Sequence, residues 1–146
     1  MIDKKSISHE LPASELPIER SRLRFFAKAI GETDPMYTDA TAARSAGYAD
    51  LPAPPTFLFA AELDSDAIDR LLDDLGVPIA KLLHGEQDFS YHRPACVGDV
   101  ITVRSRIEDI YDKKNGALEF VVKHSRATSQ SGELVADMRI VLVCRN

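Results

Sequence analysis

Leu51-Pro52-Ala53-Pro54-Pro55-Thr56-Phe57-Leu58-Phe59-Ala60-Ala61-Glu62-Leu63 is the stretch whose reading decides the fold. Helix is excluded inside its proline-rich half, because proline lacks an N–H and its ring clashes with the preceding turn. In a first turn the missing N–H does no harm, since it would be unpaired there anyway. A buried helix is therefore expected to start at Thr56, directly behind the prolines. Ser65 or Asp66 can cap a further amphipathic segment that runs to Leu75 and is closed by Gly76. Six acids fall between Glu62 and Asp74 with Arg70 as the only base, which reads as a solvated helix face.

Downstream of Pro78 the period changes to two. Ile101, Val103, Ile107 and Tyr111 alternate with Thr102, Arg104, Arg106 and Glu108, and Asn115-Gly116 is a strong hairpin signal. Leu118, Phe120 and Val122 alternate with Glu119 and Lys123, and Ser131-Gly132 marks another turn. Leu134, Ala136, Met138, Ile140, Leu142 and Cys144 share one face of the last strand, opposite Asp137, Arg139 and Arg145. Three long antiparallel strands with one apolar face need a cover. The helix beginning at Thr56 is the only apolar element long enough to provide it. Upstream, Pro17 reads as a helix entry. Leu23, Phe26, Ala27 and Ile30 fall on one helical face that stops at Gly31, and Thr38 or Asp39 caps a short helix that Gly47 ends. The architecture implied is α+β, an antiparallel sheet wrapped around a central helix.

Composition bounds the rest. The 146 residues read as one domain, 1–146, and 45% hydrophobic residues suffice for a core. Aromatic residues are only 7%, so the core reads as aliphatic. The net charge of −5 argues against general nucleic-acid binding and against an anionic membrane surface. The uncharged run Leu51 to Ala61 is far shorter than the ~20 residues of a membrane span. Met1 to Glu10 has no apolar run behind it, so no signal peptide is expected. Cys96 and Cys144 are isolated and unpatterned, which reads as a reduced, cytoplasmic protein. No metal-ligand spacing, phosphate loop or nucleophile elbow is present in the sequence.

Two segments carry a resemblance. One is Phe26-Ala27-Lys28-Ala29-Ile30-Gly31-Glu32-Thr33-Asp34-Pro35-Met36-Tyr37-Thr38-Asp39, followed by Gly47-Tyr48 and by Leu51 to Phe57. The other is Leu83-His84-Gly85-Glu86-Gln87-Asp88-Phe89-Ser90-Tyr91-His92-Arg93-Pro94, ending in Val97-Gly98-Asp99. In order and spacing they resemble the MaoC-like hot-dog family over nearly the whole chain. The likeness is to the N-terminal, non-catalytic lobe of acyl-thioester hydratases and dehydratases. It implies a hot-dog fold with a long central helix. It also implies hydration of an enoyl thioester on coenzyme A or acyl carrier protein, no cofactor, and an acyl site formed where two hot-dog units meet.

The family's catalytic members carry Gly-Asp-x-Asn-Pro-Leu-His, whose Asp and His activate water. Their Ala-His-Gly motif opens the central helix, and its glycine N–H polarises the thioester carbonyl. Laid on this chain, the Asp falls on Glu32, the Asn on Asp34 and the His on Tyr37, so the usual dyad is replaced. Ala53-Pro54-Pro55 occupies the Ala-His-Gly position, and Pro55 has no N–H to offer. Loss of one oxyanion donor costs roughly 10²–10³ in rate.

Glu32, Asp34, Tyr37 and His84 are thus the candidate catalytic residues. Pro54, Pro55, Thr56, Phe57 and Arg93 are the candidate substrate-binding residues. On a straight strand His84 shares a face with Glu86, Asp88 and Ser90, and can act as a base or belong to a solvated polar face. Arg93, Arg104 and Arg106 can meet phosphates or an acidic carrier surface, or simply be solvated. The expected function is an acyl-thioester-binding subunit that pairs with a catalytic MaoC-like subunit or with itself. Three alternatives stand beside it: a self-sufficient homodimeric (R)-specific enoyl-CoA hydratase with rearranged residues, a thioesterase, and a binding dimer without chemistry.

Overall fold

A computed structural model describes all residues, Met1–Asn146. The strands β1 (Ser14–Pro17), β2 (Leu82–Tyr91), β3 (Val100–Lys113), β4 (Leu118–Thr128) and β5 (Leu134–Arg145) form one antiparallel sheet. Its order is β1-β3-β4-β5-β2. The expected turns are where the sequence places them. Asn115 and Gly116 take positive φ (54° and 82°) between β3 and β4, and Gly132 (84°) lies between β4 and β5. No helix is long and apolar enough to cross a membrane.

The helical half also follows its signals. α1 spans Arg20–Ala29 and buries Leu23 and Ala27, and Gly31 turns the chain at φ 72°. α2 spans Ala40–Ser45, with the Asp39 side chain accepting the Ala42 N–H as its cap. Pro17 is a correction. It ends the edge strand β1 opposite Val100 rather than opening a helix, and edge strands tolerate a residue without an N–H.

The central helix is shorter than the resemblance implies. Thr56 takes a left-handed conformation (φ 75°), and a single 3₁₀ turn, Phe57–Phe59, leads into α3 (Ala60–Asp64). Ser65 is extended, and its hydroxyl donates to the Ala61 carbonyl, so the chain breaks before α4 (Ala67–Leu75). Gly76 closes α4 in the left-handed region. The sheet curls around α3 and α4, which is the hot-dog arrangement.

Two side-chain faces differ from the expected ones. On β4 the residues facing the helices are Val121, Lys123, Ser125 and Ala127. Phe120 points outward and stacks on Tyr111 with centroids 4.8 Å apart. On β3 an irregularity between Ile107 and Asp109 adds a residue, so Ile110 enters the core and Tyr111 leaves it. The acidic run is mostly solvated, but Glu62 is buried at 5% exposure. Its partner is Lys123, exposed by 1%, and the Ser125 and Ser105 hydroxyls extend the polar contact. This polar seam lies between two apolar clusters, one around Leu23, Phe57 and Leu58, the other around Leu71, Ile110 and Val121. A buried pair needs such added hydrogen bonds to offset its desolvation.

Candidate functional site

The loop after α1 gathers three of the candidate catalytic residues and uses two of them on itself. One Glu32 oxygen accepts the Thr33 and Asp34 N–H groups at 2.8 and 2.9 Å. Asp34 accepts the Met36 N–H at 3.0 Å and caps the turn Pro35–Tyr37. Tyr37 stands beside them. Burial pushes its phenol up, and the Glu32 carboxylate pushes it further, so it is a poorer proton carrier than an ordinary tyrosine.

Tyr91, at the end of β2, reaches the proline segment. Pro54 is buried and Pro55 is exposed. The first amide after them, the Thr56 N–H, donates to the Tyr91 hydroxyl at 2.8 Å. Burial holds the Tyr91 phenol above its usual value, so the hydroxyl remains neutral. The position that would polarise a thioester carbonyl therefore has one residue without an N–H and one whose N–H is engaged.

His84 is not part of this group. It lies seven residues before Tyr91 on the same strand, roughly 23 Å away at the rise of an extended chain. Nor does it share a face with Glu86. The register of β2 against β5 shifts between His84 and Glu86, and Gly85 occupies the bulge. A Cβ there would lie 2.8 Å from Val143 Cγ2 and 3.0 Å from the Val141 carbonyl oxygen, so the backbones approach as only glycine permits. The extra residue turns His84 inward. Glu86 and Asp88 stay outside and share Arg139, at 3.0 and 3.2 Å.

The inward-facing side of β2 forms a groove of about 510 Å³ with α1 and α3. Five of the six phenylalanines of the chain line it: Phe25, Phe26, Phe57, Phe59 and Phe89. The phenylalanines are thus concentrated at one place on the surface, while the buried core is aliphatic as expected, with Phe57 its one aromatic side chain. Phe26 meets Phe57 edge to face at 5.3 Å. Arg22 lies over Phe57 and forms a two-point ion pair with Asp64, which ties α1 to the end of α3. Asp64 holds the Arg22 guanidinium above its usual value, so the tie stays charged.

Besides Ser21 and the mutually paired Arg22 and Asp64, three polar residues line the groove. Thr56 lies on its lining, His84 stands 5.3 Å from the Phe59 ring, and the Gln87 carboxamide oxygen is buried without a partner. A long apolar ligand fits such a lining, with a small number of polar contacts to orient it. The groove adjoins β2, a ten-residue edge strand, whereas the opposite edge strand β1 has four residues.

Of the candidate substrate-binding residues, Thr56 and Phe57 line the groove. Arg93 does not. Its guanidinium donates to the Pro94 carbonyl at 2.9 Å and to Asp99 at 3.2 Å, which fastens the loop before β3. Sequence reasoning missed Phe25, Phe89 and Gln87. Phe25 is 75% exposed beside the partly buried Phe26, and the Phe25-Phe26 pair in a chain poor in aromatics was the available signal.

Comparison with known proteins bears on the family and the fold. Residues 5–138 match the family described as FAS1-like, dehydratase domain region. A UPF0336 protein of Parafrankia sp. (strain EAN1pec) is 40% identical over 134 residues, covering 90% of this chain and 87% of that one. Among solved structures, the chain is similar to one in the C-terminally truncated HadBC (3R-hydroxyacyl-ACP dehydratase) complex of Mycobacterium tuberculosis. That match has a TM-score of 0.81 and 25% identity, over 94% of this chain and 96% of the other. A MaoC-like dehydratase shares the fold at a TM-score of 0.85 and 23% identity; 97% of this chain is covered, but only 42% of that longer one. The chain belongs to the FAS1-like dehydratase domain region family.

Proposed function

We propose that the chain is an acyl-thioester-binding subunit of a MaoC-type enoyl hydratase or 3-hydroxyacyl dehydratase, and that a separate subunit supplies the catalytic dyad. The observation that carries this reading is the phenylalanine-lined groove beside a long, unpaired edge strand. The groove takes the acyl chain, and β2 is the edge along which a second hot-dog unit would pair. The state of the catalytic positions supports it. Glu32 and Asp34 hold their own loop, Tyr37 replaces the base, and Pro55 and Thr56 leave no free donor for an oxyanion. The likeness to a chain of the HadBC complex supports a partner subunit. Both cysteines are free, and burial raises both thiols, so neither is an activated nucleophile.

The test is turnover of 2-enoyl thioesters, on coenzyme A and on acyl carrier protein, by the chain alone and with a partner carrying an intact Asp-x-Asn-Pro-x-His. Little turnover alone and efficient turnover together is the expected result. Fast turnover alone, abolished by Glu32→Gln or Asp34→Asn, contradicts it. One observation favours a second reading, a self-sufficient hydratase with His84 as base: His84 lies in the groove and has no ion-pair partner. Loss of all activity of the isolated chain in His84→Ala would favour that reading.

A further inference from the structure

The outer face of the sheet, opposite the groove, carries a second concavity of about 460 Å³ between the N-terminal segment, β3 and β4. Arg104, Arg106, Arg126 and His124 wall it, with Glu10 as the one carboxylate. The register creates this grouping. Arg104 stands opposite Arg126, and Arg106 opposite His124. Residues two apart on a strand share a face, so the four side chains form a two-by-two array.

Such an array costs stability. Like charges directly opposite on antiparallel strands repel. Here they are concentrated in a chain whose net charge is −5. The adjoining strand offers little relief. Asp137 is shared among His92 at 2.9 Å, Arg126 at 3.5 Å and His124 at 3.6 Å. Arg104 and Arg106 have no carboxylate in ion-pair range, Glu10 included. Arg139, on the same face opposite His124, differs in being neutralised by Glu86 and Asp88. The cationic excess is therefore local to the concavity.

We propose that this concavity binds a phosphate dianion, presented as a phosphate ester or a diphosphate, at a site separate from the acyl groove. Each guanidinium is a planar fork with five donors that matches phosphate oxygens two at a time. The strand amides are engaged in the sheet, so recognition rests on these side chains. A bound dianion would also relieve the Arg104–Arg126 repulsion, which couples binding to stability.

Calorimetric titration of the full chain with inorganic phosphate, pyrophosphate and a nucleoside monophosphate, at fixed ionic strength, tests the site. Saturable binding of at least one is expected, and the preferred probe separates a free anion, a diphosphate and an ester. Arg104→Gln and Arg106→Gln are each expected to weaken binding about tenfold. Arg139→Gln is expected to leave it within about twofold, because that arginine is already paired. Arg104→Glu, which sets a carboxylate opposite Arg126, is expected to raise the melting midpoint in phosphate-free buffer and to remove any rise caused by phosphate. Failure of all three probes to bind saturably overturns the proposal. So does equal binding by the wild type and the two glutamine variants.

Discussion

Replacing Lys123 by Met removes the cation from the polar seam while keeping most of the side-chain volume. Lys123 is 1% exposed and Glu62 5%, so the carboxylate left behind has no access to water. Only the Ser125 hydroxyl, at 3.4 Å, remains to hold it. Breaking a buried pair from one side costs about 3–5 kcal/mol. With an unfolding entropy of about 2.1 cal/mol/K per residue, a chain of this length loses about 10–16 °C in melting temperature for that cost. The double variant Lys123→Met/Glu62→Leu removes both charges and should recover most of the loss, since buried pairs are often replaceable by apolar residues at little cost. Urea melts at fixed protein concentration measure all three proteins, and an unchanged slope shows that only stability has moved. A single variant within about 0.5 kcal/mol of wild type, or a double variant no better than the single, would refute the reasoning.

Gly85→Ala forces a methyl to within 2.8 Å of Val143 and 3.0 Å of the Val141 carbonyl oxygen, so it should destabilise by about 1–3 kcal/mol in the same melts. Thr56→Gly relieves a β-branched residue at φ 75° and should stabilise by about 1 kcal/mol, with the Tyr91 hydrogen bond kept because it uses the backbone amide. Acid should weaken the fold through three carboxyls held below their usual values. Burial pushes Glu119 up, but the Asn146 amide and the Ile2 N–H outweigh it. Burial likewise pushes Asp137 up, but His92 and Arg126 outweigh it, while Arg20 and the Leu51 N–H lower Asp50. A carboxyl lowered in the fold stabilises above its unfolded value and loses that effect as pH falls through the folded one. The melting temperature should therefore hold from pH 7 to about 5 and drop below about 4. A midpoint unchanged at pH 3 would contradict this.

The fold was legible where local chemistry decides it. Asp39 and Gly76 mark helix ends, Asn115-Gly116 makes a hairpin, and the period of Leu23 and Ala27 sets the buried face of α1. It was not legible where one inserted residue reverses a strand. Gly85 turns His84 away from Glu86, and the irregularity before Asp109 exchanges Tyr111 for Ile110. Long-range pairing hid as well. Glu62 looks like its solvated acidic neighbours, and Lys123 like a surface residue, until β4 lies against α3. β1 is too short for its alternation to register, and Pro17 imitates a helix start. For the groove, the proline segment already drew attention to Thr56 and Phe57, which line it, whereas Phe25 and Phe89 reach it only when the fold brings α1 and β2 together.

The role of the groove is tested most directly by the affinity of the chain for acyl-coenzyme A thioesters of increasing length, measured by calorimetry. Each buried methylene contributes about 0.8 kcal/mol, close to fourfold in affinity. Kd should therefore fall about fifteenfold per two carbons until the groove is full, and Ala60→Trp, which fills the lining, should flatten the series. An affinity independent of chain length, or the same slope in Ala60→Trp as in wild type, would contradict an acyl-binding groove.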